Sequence, residues 1–219
     1  MSKAKTPTYV MSRRRRIIVF ALCILAVSAF ICLDHSPLRP AWQGQPKSEE
    51  QVKANDFAKY HEKTFAVVNI VDGDTIDIDI PDGEKDYTRI RLWGIDTPET
   101  KHPKTGVMYF GPEAAEFAAE LALGKSVTIY LEERRTRGKY GRLLAYVQLP
   151  DGSFLNEVLL TEGFAYASLG FYFRHSFYHK YQQLEASARS QKKGLWRQVT
   201  REQLPEWLQR RKPKLLLDK

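Results

Sequence analysis

The sequence predicts an α+β chain rich in strands, with three short strands in succession, a helix, two more strands and two further helices. The economical arrangement of that order is a five-stranded, partly open Greek-key barrel of the OB type, closed by about three helices. Three observations carry this reading. Ile76, Ile78 and Ile80 alternate strictly with Asp77 and Asp79, the period of a strand with one buried face. Tight-turn signals at Asp72-Gly73 and Pro81-Asp82-Gly83 separate the first three apolar runs. The first helix opens at Gly111-Pro112 and closes at Gly124, with Ala114, Phe117, Ala118 and Leu121 at helical spacing.

In chain order, the β-branched run 64–71 makes the first strand and 75–80 the second. The third covers 87–93, with Ile90 and Leu92 opposite Arg89 and Arg91. Residues 94–110 are irregular, and a loop of that length inside a compact domain tends to carry function. Ser126–Leu131 and 142–149 form the fourth and fifth strands, on either side of the basic turn 134–141. Ser153 caps a second helix running to Gly163, and a third helix covers about 175–191. Residues 200–208 form a short final helix with Thr200 and Gln203 as a capping box, and the basic tail beyond is loose.

Arg13 to Arg16 are four consecutive cations, and residues 17–33 then run for seventeen positions without a charge. At about 1.5 Å per helical residue that run reaches roughly 25 Å, the short end for a bilayer crossing. It reads as a transmembrane or signal helix, with the arginines holding the N-terminus in the cytoplasm and the body facing outward. The expected organisation is a basic cytoplasmic segment over 1–16, a signal-anchor helix over 17–33, a Pro-containing linker over 34–60, a globular domain over 61–197 and a basic tail over 198–219. A retained single-pass anchor in the plasma (inner) membrane leads. The small-residue pattern Val27-Ser28-Ala29 supports the alternative, a protein secreted or periplasmic after signal cleavage.

Composition narrows the chemistry. Both cysteines, Cys23 and Cys32, lie in the apolar run, so the body offers no thiol. A disulfide scaffold, a Cys-ligated zinc and a cysteine nucleophile are excluded there. The net charge of +8 belongs to the ends: residues 1–60 hold 10 Lys+Arg against 4 Asp+Glu, and 192–219 hold 9 against 3. The middle, 61–191, holds 15 against 19. Any polyanion chemistry in the body must come from a few placed cations or a bound metal.

Such a placement is visible. Asp72 and Asp74 flank the first turn, Asp96 and Glu99 start the long loop, and Arg91 sits on the strand leading into it. Clustered carboxylates suit a hard cation such as Ca²⁺ or Mg²⁺, and an arginine beside it suits a phosphate. Taken singly, each piece has a plainer reading: a turn at 72–74, a helix start at 96–99, an ordinary basic turn at 139–142. In combination they occur in order as VDGDT (71–75), RLWGIDTPETKHPKTG (91–106), GPEA (111–114) and KYGRLLAY (139–146), with a closing KKGLW (192–196).

This set closely resembles the staphylococcal nuclease (thermonuclease) family over about 63–196. The resemblance implies that Asp74 and Asp96 ligate Ca²⁺ through carboxylates and Thr97 through its backbone carbonyl, with Asp72 orienting them. It implies that Glu99 accepts a proton from, or orients, the attacking water. Arg91 and Arg142 bind the scissile phosphate, and Lys139 and Tyr140 contact a neighbouring terminal phosphate. The implied reaction is Ca²⁺-dependent hydrolysis of DNA and RNA at the 5′-O–P bond, leaving 3′-phosphate ends, by a monomer with no protein partner. A noncatalytic nucleic-acid or protein binding module anchored to the membrane is the alternative. The chain is longer around 166–173 than the best-known member, so the resemblance does not choose between Tyr166 and Tyr172 as a base contact, and neither joins the site.

Overall fold

The computed structural model describes residues 12–34, 48–101, 106–168 and 175–216. The chain divides into two units, Met1–Lys47 and Ser48–Lys219. The first holds one helix, α1 (Arg13–Asp34), whose apolar side chains such as Phe20 and Leu25 are exposed. The helix expected over 17–33 is thus present. Among the described residues no helix is long and apolar enough to cross a membrane.

The second unit opens with α2 (Glu49–Tyr60), where a linker was expected. Ser48 caps it by accepting from the Gln51 N–H at 3.2 Å, and Phe57 and Tyr60 turn towards the barrel. The Tyr60 hydroxyl meets Thr88 Oγ1 at 3.0 Å. Asp56 is buried on the same face, where Thr136 Oγ1 donates to it at 2.6 Å and Arg137 at 2.8 and 2.5 Å. Arg137 also pairs with Asp82 at 2.5 Å. Burial works against the Arg137 charge, but Asp56 and Asp82 outweigh it and hold the guanidinium above its ordinary pKa. The polar composition of 48–60 hid a helix whose docking is partly ionic.

Among the described residues seven strands follow: β1 (Lys63–Asp72), β2 (Thr75–Ile78), β3 (Thr88–Leu92), β4 (Ile95–Asp96), β5 (Ser126–Leu131), β6 (Leu143–Gln148) and β7 (Tyr166–Ala167). Five close into a barrel in the order β1-β2-β3-β6-β5. All neighbours are antiparallel except β3 and β6, which are parallel. The expected meander and five-stranded barrel are both present. Its interior is filled by Ile76, Ile78, Ile90, Leu92, Val127, Ile129, Leu143, Ala145 and Val147, each at most 1% exposed. Asp77, on the opposite face of β2, is buried as well, because Arg89 grips it at 2.7 and 2.9 Å and Asn69 donates at 2.9 Å.

Four described helices complete the unit: α3 (Gly111–Ala122), α4 (Leu155–Thr161), α5 (His175–Ser190) and α6 (Glu206–Arg211). Helix α3 turns Ala114, Ala118 and Ala122 inward, small enough for close packing on β1. Ser153 does not cap α4. Its N–H and Oγ both donate to Asp151 Oδ1, so it closes the preceding turn and the helix starts two residues later. Asn156, fully buried on α4, accepts from Val147 N–H and donates to the carbonyls of Trp93 and Ala145. That amide ties the exit of β3 to β6.

The C-terminal residues also depart from expectation. The Thr200–Gln203 capping box is present, but Pro205 divides the expected helix into a 3-10 turn, Arg201–Gln203, and α6. The tail is not loose. Leu204, Leu208 and Leu215 bury against Tyr166, Ala188, Leu195, Trp196 and Val199 as a second core. Lys212 pairs with the buried Glu185 of α5. The folded unit therefore begins at Ser48 rather than 61 and extends through 216 rather than 197.

Removing Asp56 leaves Arg137 half-buried with one partner fewer and unpins α2. Asp56→Ala is expected to cost about 3 kcal/mol, the usual penalty for breaking a buried ion pair. A denaturant midpoint unchanged from the parent would contradict an ionic docking of α2.

Candidate active site

The site starts at the turn between β1 and β2. Asp72 pairs directly with Thr75, so the turn consists of Gly73 and Asp74 alone. A Cβ at Gly73 would meet the Thr97 side chain at 2.9 Å and Ala114 Cβ at 3.0 Å. Only glycine lets the 97 loop and α3 close down on this turn. Asp74 is 5% exposed and fully engaged. Its Oδ1 accepts from Thr75 Oγ1 at 3.0 Å and its Oδ2 from the Thr97 N–H at 2.9 Å. Its own N–H donates to Asp72 Oδ1 at 3.3 Å.

Register brings Arg91 to this point, since Thr75 and Arg91 are partners across β2 and β3. Its Nη1 donates to the carbonyls of Leu92 at 3.0 Å and Ile95 at 2.8 Å. Its Nη2 reaches Asp74 Oδ2 at 2.8 Å and Asp96 Oδ1 at 2.5 Å. Two carboxylates thus share one nitrogen. Strand β4 holds Asp96 there by pairing with β7, Ile95 opposite Ala167 and Asp96 opposite Tyr166. Arg142, just before β6, reaches the same turn, its Nη1 3.4 Å from Thr75 Oγ1. The Tyr140 ring, 77% exposed, lies between cations: Arg142 is 5.8 Å and Lys139 Nζ 5.6 Å from its centre.

Glu99 is positioned through its backbone. Its carbonyl accepts from the Met108 N–H at 2.9 Å, and the Gly111 N–H donates to the Met108 carbonyl at 3.0 Å. A Cβ at Gly111 would stand 2.5 Å from that Glu99 oxygen. The glycine opening α3 is therefore a spacer for the Glu99 loop as well as a helix start. Asp96, Thr97 and Glu99 line a cleft whose other walls are Met108, Tyr109 and residues 202–210.

Charge at this rim is unbalanced. Burial opposes the Arg91 charge, but Asp74, Asp96, Asp72 and Glu99 together raise its pKa above the ordinary value. The carboxylates themselves are in excess. Burial, then repulsion from Asp74, pushes Asp72 up to about 7. Burial pushes Asp96 up to about 6 against the pull of Arg91, with Asp74 and Glu99 adding to the rise. Four carboxylates face two guanidinium groups. Among the described residues no group of three or more His, Cys, Asp or Glu side chains stands ready to hold a metal ion, and only two carboxylates, Asp74 and Asp96, meet at one point. That pair of hard carboxylate oxygens is of the kind a calcium-type cation takes.

All nine residues expected from sequence, Asp72, Asp74, Arg91, Asp96, Thr97, Glu99, Lys139, Tyr140 and Arg142, lie on this side of the barrel. Residues 89–198 match the family described as Staphylococcal nuclease homologue. The Thermonuclease of Staphylococcus hyicus is 34% identical over 146 residues, 66% of this chain and 82% of that protein. The Endonuclease YncB of Bacillus subtilis (strain 168) is 34% identical over 149 residues, 67% of this chain and 69% of its own length. A second Thermonuclease, from Staphylococcus intermedius, is 42% identical over 105 residues, 48% of this chain and 60% of that one. The chain belongs to the staphylococcal nuclease family.

Against that family frame, the two candidate tyrosines are accounted for differently. Tyr166 is fully buried, edge-on to Trp196 at 5.6 Å and Trp207 at 6.4 Å, so its ring packs the second core and does not face a base. Tyr172 and His102 lie outside the described residues. Sequence reasoning passed over Thr75, the hydroxyl between Arg142 and Asp74, although it closes the VDGDT string. It also passed over Trp207, for which no local signal exists.

Gly111→Ala tests the spacer role. The added methyl must displace the Glu99 backbone, and misplacement on the ångström scale costs on the order of 10²-fold. Hydrolysis of DNA is expected to fall by at least about 10-fold while circular dichroism retains the native barrel. Full activity in the alanine variant would show that Glu99 does not depend on this contact.

Proposed function

We propose that this chain is a calcium-dependent phosphodiesterase, an endonuclease that hydrolyses DNA and RNA at the 5′-O–P bond and leaves 3′-phosphate ends. The observation that carries the reading is the convergence of Arg91, Arg142, Asp74, Asp96 and Glu99 on one rim, in a family whose named relatives include thermonucleases and an endonuclease. Asp74, Asp96 and the Thr97 carbonyl would hold the cation, and Asp72 orients Asp74 through its N–H. Bound calcium supplies Lewis acidity towards a phosphate oxygen and offsets the carboxylate surplus.

The chain's own groups then divide the reaction. Glu99 takes a proton from a water, whose oxygen attacks phosphorus as the bond to the 5′ oxygen breaks; the departing alkoxide takes its proton from solvent water, and Glu99 returns its own to solvent. Negative charge growing on the phosphoryl oxygens meets the guanidinium groups of Arg91 and Arg142, which are fixed in advance by Asp74, Asp96 and Thr75. Lys139 and Tyr140, exposed beside Arg142, receive an adjacent phosphate. Contacts of this kind read the backbone and not the bases, so DNA and RNA are both substrates and sequence preference is slight. The protein acts as a monomer. Export from the cytoplasm is part of the proposal, supported by Arg13 to Arg16 followed by the uncharged residues 17–33, which serve as signal or anchor.

Purified protein is expected to degrade DNA and RNA with calcium and to stop in EGTA; undiminished cleavage in chelator would remove the cation from the account. Glu99→Gln should lower kcat by roughly 10²-fold or more, within the contribution of general-base catalysis. Arg142→Lys should lose about as much as Arg142→Ala, because the planar fork is gone.

A pH dependence follows from Asp72 near 7 and Asp96 near 6 in the metal-free protein. Raised carboxyl pKa values stabilise the fold fully below the unfolded value of about 4, and that contribution is lost as pH rises through the folded values. Cation binding competes with the same protons. Metal-free protein should therefore lose stability from about pH 4 to 7, calcium should restore it, and half-saturating calcium should fall between about pH 6 and 8. A half-saturation flat across that range would contradict protonated ligands.

A further inference from the structure

The match to the family ends at residue 198, yet the fold does not. Residues 200–216 are docked on the nuclease body by two independent contacts and closed on themselves by a third. Leu204, Leu208 and Leu215 bury in the second core. Lys212 pairs with Glu185, which is 1% exposed. Arg201 Nη1 donates to the Pro213 carbonyl at 2.5 Å, closing the segment. Pro205 starts α6 on the turn after the capping box, and this brings Trp207 to the rim of the site.

There the indole Nε1–H donates to Asp96 Oδ2 at 2.8 Å, while Arg91 holds Oδ1 of the same carboxylate at 2.5 Å. The two oxygens of Asp96 are thus gripped by two different donors from distant parts of the chain. A carboxylate held by one oxygen rotates about its Cβ–Cγ bond; one held by both does not. The indole ring is itself fixed, edge-on to Tyr166 at 6.4 Å and beneath the Arg211 guanidinium at 6.0 Å. Tyr166 in turn pairs with Asp96 across β4 and β7, so ring and carboxylate share one rigid mount.

We infer that Trp207 is a positioning residue for the nuclease site: it fixes the plane of the Asp96 carboxylate, and residues 200–216 build the wall on which it sits. The inference rests on the functional reading above, in which Asp96 ligates calcium. Partners that orient a metal-ligating carboxylate typically contribute about 10–100-fold in metal affinity or activity.

The test uses the full chain and Trp207→Phe, which keeps an aromatic ring against Tyr166 and removes only the donor. Half-saturating calcium for DNA hydrolysis is expected to rise by about 10-fold or more. KM for DNA at saturating calcium should stay within about 2-fold, since the indole does not reach the phosphate-binding side of the site. A second readout needs no turnover. The indole N–H resonance missing from the Trp207→Phe spectrum should shift in the parent protein on calcium titration, with the half-saturation seen in the assay. An unmoved resonance, or an unchanged calcium half-saturation in the variant, overturns the role of Trp207 and leaves the nuclease reading intact. A parent protein without calcium-dependent cleavage overturns both. Should Trp207→Phe be too unstable to assay, the parent's indole resonance still decides, the other three indole signals being assigned from Trp42, Trp93 and Trp196 variants.

Discussion

Arg91 brings one guanidinium to a place where Asp74 and Asp96 both need it, and a single nitrogen serves the two. The rest of the rim is organised around that shortage. β2 and β3 must pair in a register that sets Thr75 beside Arg91, β4 must pair with β7 to keep Asp96 within reach, and Gly73 must be bare to admit Thr97. Desolvation would make such a cluster of carboxylates untenable without cations. Arg91 and Arg142 supply cations here, and the proposed calcium would supply the rest.

The barrel serves this arrangement in a specific way. The parallel pairing of β3 with β6 closes the cylinder and brings the two arginine-bearing segments together, Arg91 within β3 and Arg142 immediately before β6. Asn156 fastens the same junction from below through the Trp93 and Ala145 carbonyls. A strand therefore carries Arg91 and a strand entrance Arg142, whereas the proposed base, Glu99, rides on a loop restrained at its backbone by Met108 and Gly111. Precision at the charged groups comes from sheet register, and precision at Glu99 comes from the absence of a side chain at position 111.

Much of this was legible in the sequence because its signals were local. Alternation over 75–80, the turn residues at 72–74 and 81–83, and the Gly-Pro opening of α3 each state their structure within a few residues. The string DTPET between β3 and α3 marked the site for the same reason. What escaped depends on distant partners. Helix α2 reads as a polar linker until Asp56 is seen to meet Arg137, which lies 81 residues away. The tail reads as a solvated basic stretch until Glu185 neutralises Lys212 and three leucines find Trp196. Ser153 looked like a cap, but Asp151 two residues earlier competes for its donors. The uncharged run 17–33 reads as a helix from its composition alone, and it is one.

A crystal of the protein soaked in calcium examines the central claim most directly. The account predicts one calcium ion within about 2.3–2.6 Å of carboxylate oxygens from Asp74 and Asp96 and of the Thr97 carbonyl, with Arg91 and Arg142 facing the same ion from either side. Calcium bound elsewhere on the surface, with Arg91 still bridging an unaltered Asp74 and Asp96, would contradict it.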